Sequence, residues 1–85
     1  MNNRTAMNKK ANAILKKKFI DMGKTSCEIC GSNYALTFMH RLKRRHYTSL
    51  NALSDMNEVI LACIKCHTKY EYDRKATEEL FKRLR

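Results

Sequence analysis

The chain has 85 residues, a formal charge of +10 and a mean hydropathy of −0.62. Its longest apolar run is the six residues 59–64, against the roughly 20 that a membrane-crossing helix needs. A basic excess of this size points to a polyanion partner, most often nucleic acid. So short a chain buries only a thin core, and metals or partners often supply what packing cannot.

Taken in order, residues 1–5 read as a frayed start. Over 6–22, Met7, Ala11, Ile14, Leu15, Phe19 and Met22 recur at three- and four-residue steps, which predicts a helix with one apolar stripe. Lys9, Lys10, Lys16, Lys17 and Lys18 fall largely outside that stripe, so the basic face either lies along phosphates or is solvated. Gly23 is suited to end the helix. Residues 34–40 read as a strand, from their aromatic and β-branched content. A loop follows over 41–48, and Thr48 or Ser49 can cap a brief turn over 50–53. Residues 55–57 are turn-like, and 58–62 form a second strand. The last segment, 68–85, reads as a C-terminal helix whose pattern allows a break near Asp73. Its stripe of Ala76, Leu80, Phe81 and Leu84 is expected to pack on the N-terminal helix. The whole is a single domain over 1–85, with a core over 27–67.

All four cysteines stand in two pairs, Cys27-x-x-Cys30 and Cys63-x-x-Cys66. Cysteines at this spacing can place both sulfurs on one ion, and two such pairs make a four-thiolate tetrahedron for structural zinc. Gly31 fits the first pair, because a tight knuckle needs a residue that tolerates positive φ. The other uses of such pairs are two disulfides or a redox pair. The polar, lysine-rich first residues lack the apolar region of a secretory signal, and intracellular thiols stay reduced. No strand–helix–strand pattern supports a redox fold. Four thiolates and one zinc ion take the charge to about +8.

The span Cys27-x-x-Cys30, His40, Asn57, Cys63-x-x-Cys66-His67 resembles the zinc-containing branch of the HNH endonuclease family. The match covers about half the chain. The resemblance implies an α+β fold with a zinc-stabilised ββα-metal core, flanked here by N- and C-terminal helices. It implies catalytic roles for three residues. His40 matches the general base, Asn57 the residue that steadies the loop around it or, in some members, helps hold the metal, and His67 a ligand of a catalytic divalent ion. That second metal is Mg²⁺, Mn²⁺ or Ni²⁺. Cys27, Cys30, Cys63 and Cys66 match the structural zinc ligands. Adjacent helical residues differ in direction by about 100°, so Cys66 can face zinc while His67 faces a different groove. Before the base the family carries a ligand, usually Asp, Glu or His. Here the residue is Met39, a poor partner for Mg²⁺. The interval from Asn57 to Cys63 is also one residue longer than the commonest form. Asp55, Asn57 or His46 are the sequence's candidates for the missing ligand.

Arg41, Lys43, Arg44 and Arg45, followed by His46, place a cationic cluster beside the presumed base. Such a cluster fits phosphate contacts, with Arg favoured for bidentate ones. Tyr47 is expected to buttress the loop. Tyr34, Tyr70 and Tyr72 are expected in the core or at its rim. The reading is a metal-dependent DNA endonuclease or nickase acting on double-stranded DNA. The alternative is a catalytically degenerate zinc module that binds nucleic acid or a host protein. Compact size and the run HRLKRRH resemble bacteriophage versions of the family, which implies the bacterial host cytoplasm.

Overall fold

A computed structural model describes residues 3–85. The elements are α1 (Asn3–Asp21), β1 (Leu36–His40), α2 (Leu50–Leu53), β2 (Val59–Cys63), α3 (Ile64–Glu71) and α4 (Arg74–Leu84), with single 3-10 turns at Arg44–His46 and Met56–Glu58. Of the frayed start expected over 1–5, residues 1 and 2 lie outside the described residues. The helix already includes Asn3, so it begins earlier than the stripe suggested. Its end is as expected. Gly23 has φ +74°, and the Lys24 N–H reaches the Phe19 carbonyl at 2.8 Å while the Gly23 N–H reaches Ile20 at 2.9 Å. That pair of bonds satisfies carbonyls the helix would otherwise leave open.

β1 and β2 form a two-stranded antiparallel sheet, with Leu36 opposite Cys63 at one end and His40 opposite Val59 at the other. The first strand is shorter than expected. Ala35 has φ +52°, which breaks the extended run before Leu36, and Tyr34 is 80% exposed. A lone hairpin is marginal in water, so both faces must be covered. One face packs on α1, where Leu15 and Phe19 meet Val59 and Leu61. The other carries Met39, Ile60 and Ala62, which pack with Leu80, Phe81, Cys27 and Cys63. Burying each large apolar side chain is worth about 1.5–3 kcal/mol. A third cluster joins Ala11 of α1 to Leu53 of α2 and to Tyr47.

The expected packing of the C-terminal stripe on α1 is not what the chain does. Leu80 and Phe81 face the opposite side of the sheet, with the cysteines. The Arg85 guanidinium, beyond that stripe, lies over the Phe19 ring, 5.9 Å from its centre. The sequence shows that a stripe must be covered; the strand pairing decides by what. The expected break does occur. Asp73 caps α4 by accepting from the Ala76 N–H at 3.0 Å, so the segment is two helices and not one.

Ser49 is the residue that caps α2, its Oγ accepting from the Ala52 N–H at 3.1 Å. Asp55 caps the Met56–Glu58 turn through a 2.9 Å bond from the Asn57 N–H. Among the described residues no helix is long and apolar enough to cross a membrane.

Candidate functional site

The first part of the site stands at the Leu36–Cys63 end of the sheet. Cys27 and Cys30 come from the loop after α1, Cys63 from the end of β2, and Cys66 from the first turn of α3. Their sulfurs all lie within 4.8 Å of one another. Cys30 Sγ and Cys63 Sγ are 3.6 Å apart, and all four cysteines are free. A zinc–sulfur length of about 2.3 Å places the sulfurs of a tetrahedron about 3.8 Å apart, so the quartet has the right size. The knuckle is shaped for it as well. Gly31 has φ +82°, and the Cys30 N–H points at Cys27 Sγ from 3.5 Å.

The electrostatics ask for a cation. Burial raises the Cys27 thiol, but the amides of Cys30, Cys63 and Ile29 outweigh it and bring the group down to about 6. Burial and the three neighbouring sulfurs push Cys66 up to about 12. One thiolate therefore opposes the next, and four can coexist only around a positive ion. The four clustered cysteines are consistent with a structural zinc site.

A carboxylate inside the knuckle locks it to the sheet. Glu28 accepts from Arg85 at 2.8 and 2.9 Å, from Lys24 Nζ at 2.8 Å and from the Leu61 N–H at 2.8 Å. Arg85 also donates to the carbonyls of Met56 and Val59, at 2.9 and 2.8 Å. Burial raises Glu28, yet Arg85, Lys24 and the Leu61 amide together hold it below its ordinary range.

The second part of the site is a groove of about 740 Å³ at the His40 end. His40 and His67 both line it, together with Met39, Lys43, Arg44, Arg45 and His46. Strand and helix thus bring together two histidines far apart in the chain. His67 Nδ1 lies 2.9 Å from Thr37 Oγ1, whose own proton goes to the Ala62 carbonyl at 2.8 Å. The hydroxyl has only one proton, so it must accept from the ring. His67 therefore carries its proton on Nδ1 and keeps a lone pair on Nε2, the form a metal ligand needs. Burial lowers the pKa of His67, partly opposed by Glu71.

His40 is held differently. Its Nε2 is 2.8 Å from the Leu53 carbonyl, which fixes the proton there. Its Nδ1 is buried without a hydrogen-bond partner among the described residues. The Tyr47 ring packs against it at 5.4 Å. Burial lowers the His40 pKa, against the pull of the Leu53 carbonyl. Tyr47 buttresses the loop as expected. Its hydroxyl accepts from the Leu42 N–H at 3.1 Å and lies 3.4 Å from Glu58.

The remaining expected residues are spread out. Asn57 is exposed and lines a separate pocket of about 300 Å³ with Arg41, Glu78 and Arg85. Asp55 is occupied as a turn cap. Arg41 lines both this pocket and the histidine groove, and its guanidinium fork bonds Glu58 at 2.8 and 2.9 Å. Met39 is 2% exposed and belongs to the core. Tyr70 packs at the core edge, whereas Tyr34 and Tyr72 are 80% and 89% exposed, against the expectation for both.

Three partners were not singled out from the sequence: Thr37, the Leu53 carbonyl and Glu71. Glu71 stands one turn beyond His67 and lines the same groove. Its signal was the four-residue step from His67, which puts both on one helix face. The other two carry no sequence signal, since a strand threonine and a main-chain carbonyl look ordinary. Among the described residues the cysteine quartet is the cluster of three or more ligating side chains close enough to hold a metal ion. The chain matches no protein-family model, no curated protein and no solved structure. What stands is a small α+β unit with a four-cysteine cluster able to bind zinc, and no family is identified.

Proposed function

We propose that the protein is a metal-dependent DNA endonuclease or nickase of HNH type. The observation that carries this reading is the shared groove. A strand-end His40 and a helix-borne His67 line one cavity walled by Lys43, Arg44 and Arg45. Phosphodiester hydrolysis needs a base for water and a cation beside the scissile phosphate. His67 offers a free Nε2 to that cation, with Glu71 beside it as an oxygen donor. His40 serves as base from Nδ1 once the groove opens to water. The cationic wall receives the phosphate backbone. An imidazole-containing site favours Mn²⁺, Ni²⁺ or Co²⁺ over Mg²⁺.

A second reading has its own support. Met39 is core where the family carries a ligand, and His40 has its Nε2 bonded to the Leu53 carbonyl and its Nδ1 buried. These features favour a zinc-stabilised module that binds nucleic acid, or a host protein, without cutting. Plasmid cleavage by purified protein decides between them, with each of the four ions tested in turn. Nicking by the wild type that is lost in His40→Ala, with zinc content and DNA binding unchanged, is the expected result. No cleavage with any ion leaves the binding module as the function.

A further inference from the structure

The groove does not use α1, although that helix carries five of the chain's lysines. Its inner side is occupied, with Ala11, Leu15 and Phe19 buried against the sheet and α2. Its outer side has an ordered pattern. Lys9 and Lys16 are seven residues apart, as are Lys10 and Lys17, and all four are exposed. Seven residues are nearly two turns, about 10 Å along the axis, so the lysines form two parallel rows. Between the rows run Ala6, Ala13 and Ile20, again seven apart, with Ala13 and Ile20 exposed and Ile20 at 52%. The rows themselves are separated by about 100° around the helix.

None of these four lysines takes part in an ion pair among the described residues. The fifth, Lys18, points inward and donates to the Ser54 carbonyl at 2.9 Å. Asp21, the last residue, is the helix's only carboxylate. A solvated helix in a stable domain usually intersperses both signs of charge. Here a one-signed face remains, with a low apolar ridge along its middle.

We propose that α1 is a docking helix for duplex nucleic acid, seated in a major groove with Lys9 and Lys16 on one phosphate wall and Lys10 and Lys17 on the other. The major groove is about 12 Å wide and admits a helix. Alanines at the centre allow close approach, and two diverging rows of long cations match two flanking backbones. A single strand has no second wall. α1 and α3 cover opposite faces of the sheet, so this contact is separate from the histidine groove. It rests on the nucleic-acid reading and adds where a duplex is held and why a duplex is preferred.

The test is fluorescence anisotropy of the full chain with a 20-base-pair duplex and with the same strand alone, over a range of salt. Three forms are compared: wild type, a variant with all four lysines changed to Gln, and Ala13→Phe. The wild type binds the duplex at least tenfold more tightly than the single strand. The lysine variant loses at least tenfold in duplex affinity, and its salt slope falls by about 3–4, near one unit per phosphate released. Ala13→Phe keeps every charge, yet weakens the duplex several-fold by blocking the approach. Circular dichroism and zinc content show that both variants fold. Equal affinity for duplex and single strand, an unchanged salt slope in the lysine variant, or stronger retention on anionic vesicles than on duplex each overturns the proposal. Absent cleavage would sink the nuclease reading and leave these binding results as they are.

Discussion

The two ends of the hairpin are built to opposite plans. At the Leu36–Cys63 end the ligating groups converge, and the carboxylate that follows Cys27 is well partnered. Four sulfurs face one another, and Glu28 takes bonds from two side-chain cations and an amide. In the groove that runs from His67 to the His40–Val59 end, polar groups are only partly matched. His67 keeps one nitrogen open, His40 has an unpartnered Nδ1, and cationic side chains crowd the wall. The first end gives stability, and the second leaves room for a ligand. The difference teaches that so small a fold can carry an under-satisfied groove because the other end over-determines the hairpin.

Removing the metal breaks the comparison most completely. Strong chelation, or Cys63→Ser, is expected to cost the folded state itself, because thiolate ligation contributes directly to folding. Metal analysis of reduced protein should give one zinc per chain, with loss of far-UV ellipticity after chelation. Retained structure after chelation would show that packing alone holds the first end.

The next largest effect is at Arg85, whose side chain is 12% exposed and faces Glu28 at 8%. Truncating Arg85 leaves Glu28 with Lys24 as its one remaining side-chain cation, and a broken buried pair of this kind costs about 3 kcal/mol. Arg85→Ala should show this loss in urea unfolding with zinc present, and Glu28→Gln combined with Arg85→Ala should recover part of it. Additive losses in the double variant would mean that the two residues do not act as a pair.

Met39 tests the other end. Its burial among Ile60, Leu80 and Phe81 means that Met39→Asp places a carboxylate in the core, at about 2–4 kcal/mol by the usual range for unpaired buried polar groups. In a chelator too weak to strip zinc, the variant should melt lower than wild type. Mn²⁺ should then raise its melting temperature more than that of wild type if the aspartate joins His67 on an ion. No selective rescue by Mn²⁺ would assign the position to the core alone.

The smallest effect concerns His40. Burial holds its folded pKa below the ordinary 6.5, so the unfolded chain binds the proton more readily. Stability therefore falls as pH drops below about 6.5 and is unaffected by this ring above it. An NMR titration should place the His40 midpoint below 6.5. Any cleavage that depends on His40 should rise with pH through that same midpoint. A midpoint at or above 6.5 would contradict the buried placement.

The sequence by itself determined what is local. Cysteine spacing set the two halves of the metal cluster, since two residues between thiols fix their reach. Positive φ at Gly23 and Gly31 followed from turns that exclude a side chain. A cap at Thr48 or Ser49 followed from short oxygen-bearing side chains before a helical run, and the structure uses Ser49; the break near Asp73 was legible too, though not its capping bond. Only the tertiary structure decided the rest. Which face of the sheet α4 covers depends on strand register, and a stripe of Leu80 and Phe81 is the same stripe against either face. Arg41, read as a phosphate contact, lines the groove and is also the partner of Glu58, which could not be foreseen because an ion pair between distant residues has no local signature. The tautomers of His67 and His40 were set by Thr37 and by the Leu53 carbonyl. Neither could be read in advance, since a hydrogen bond to a ring nitrogen exists only once distant strands and helices have met.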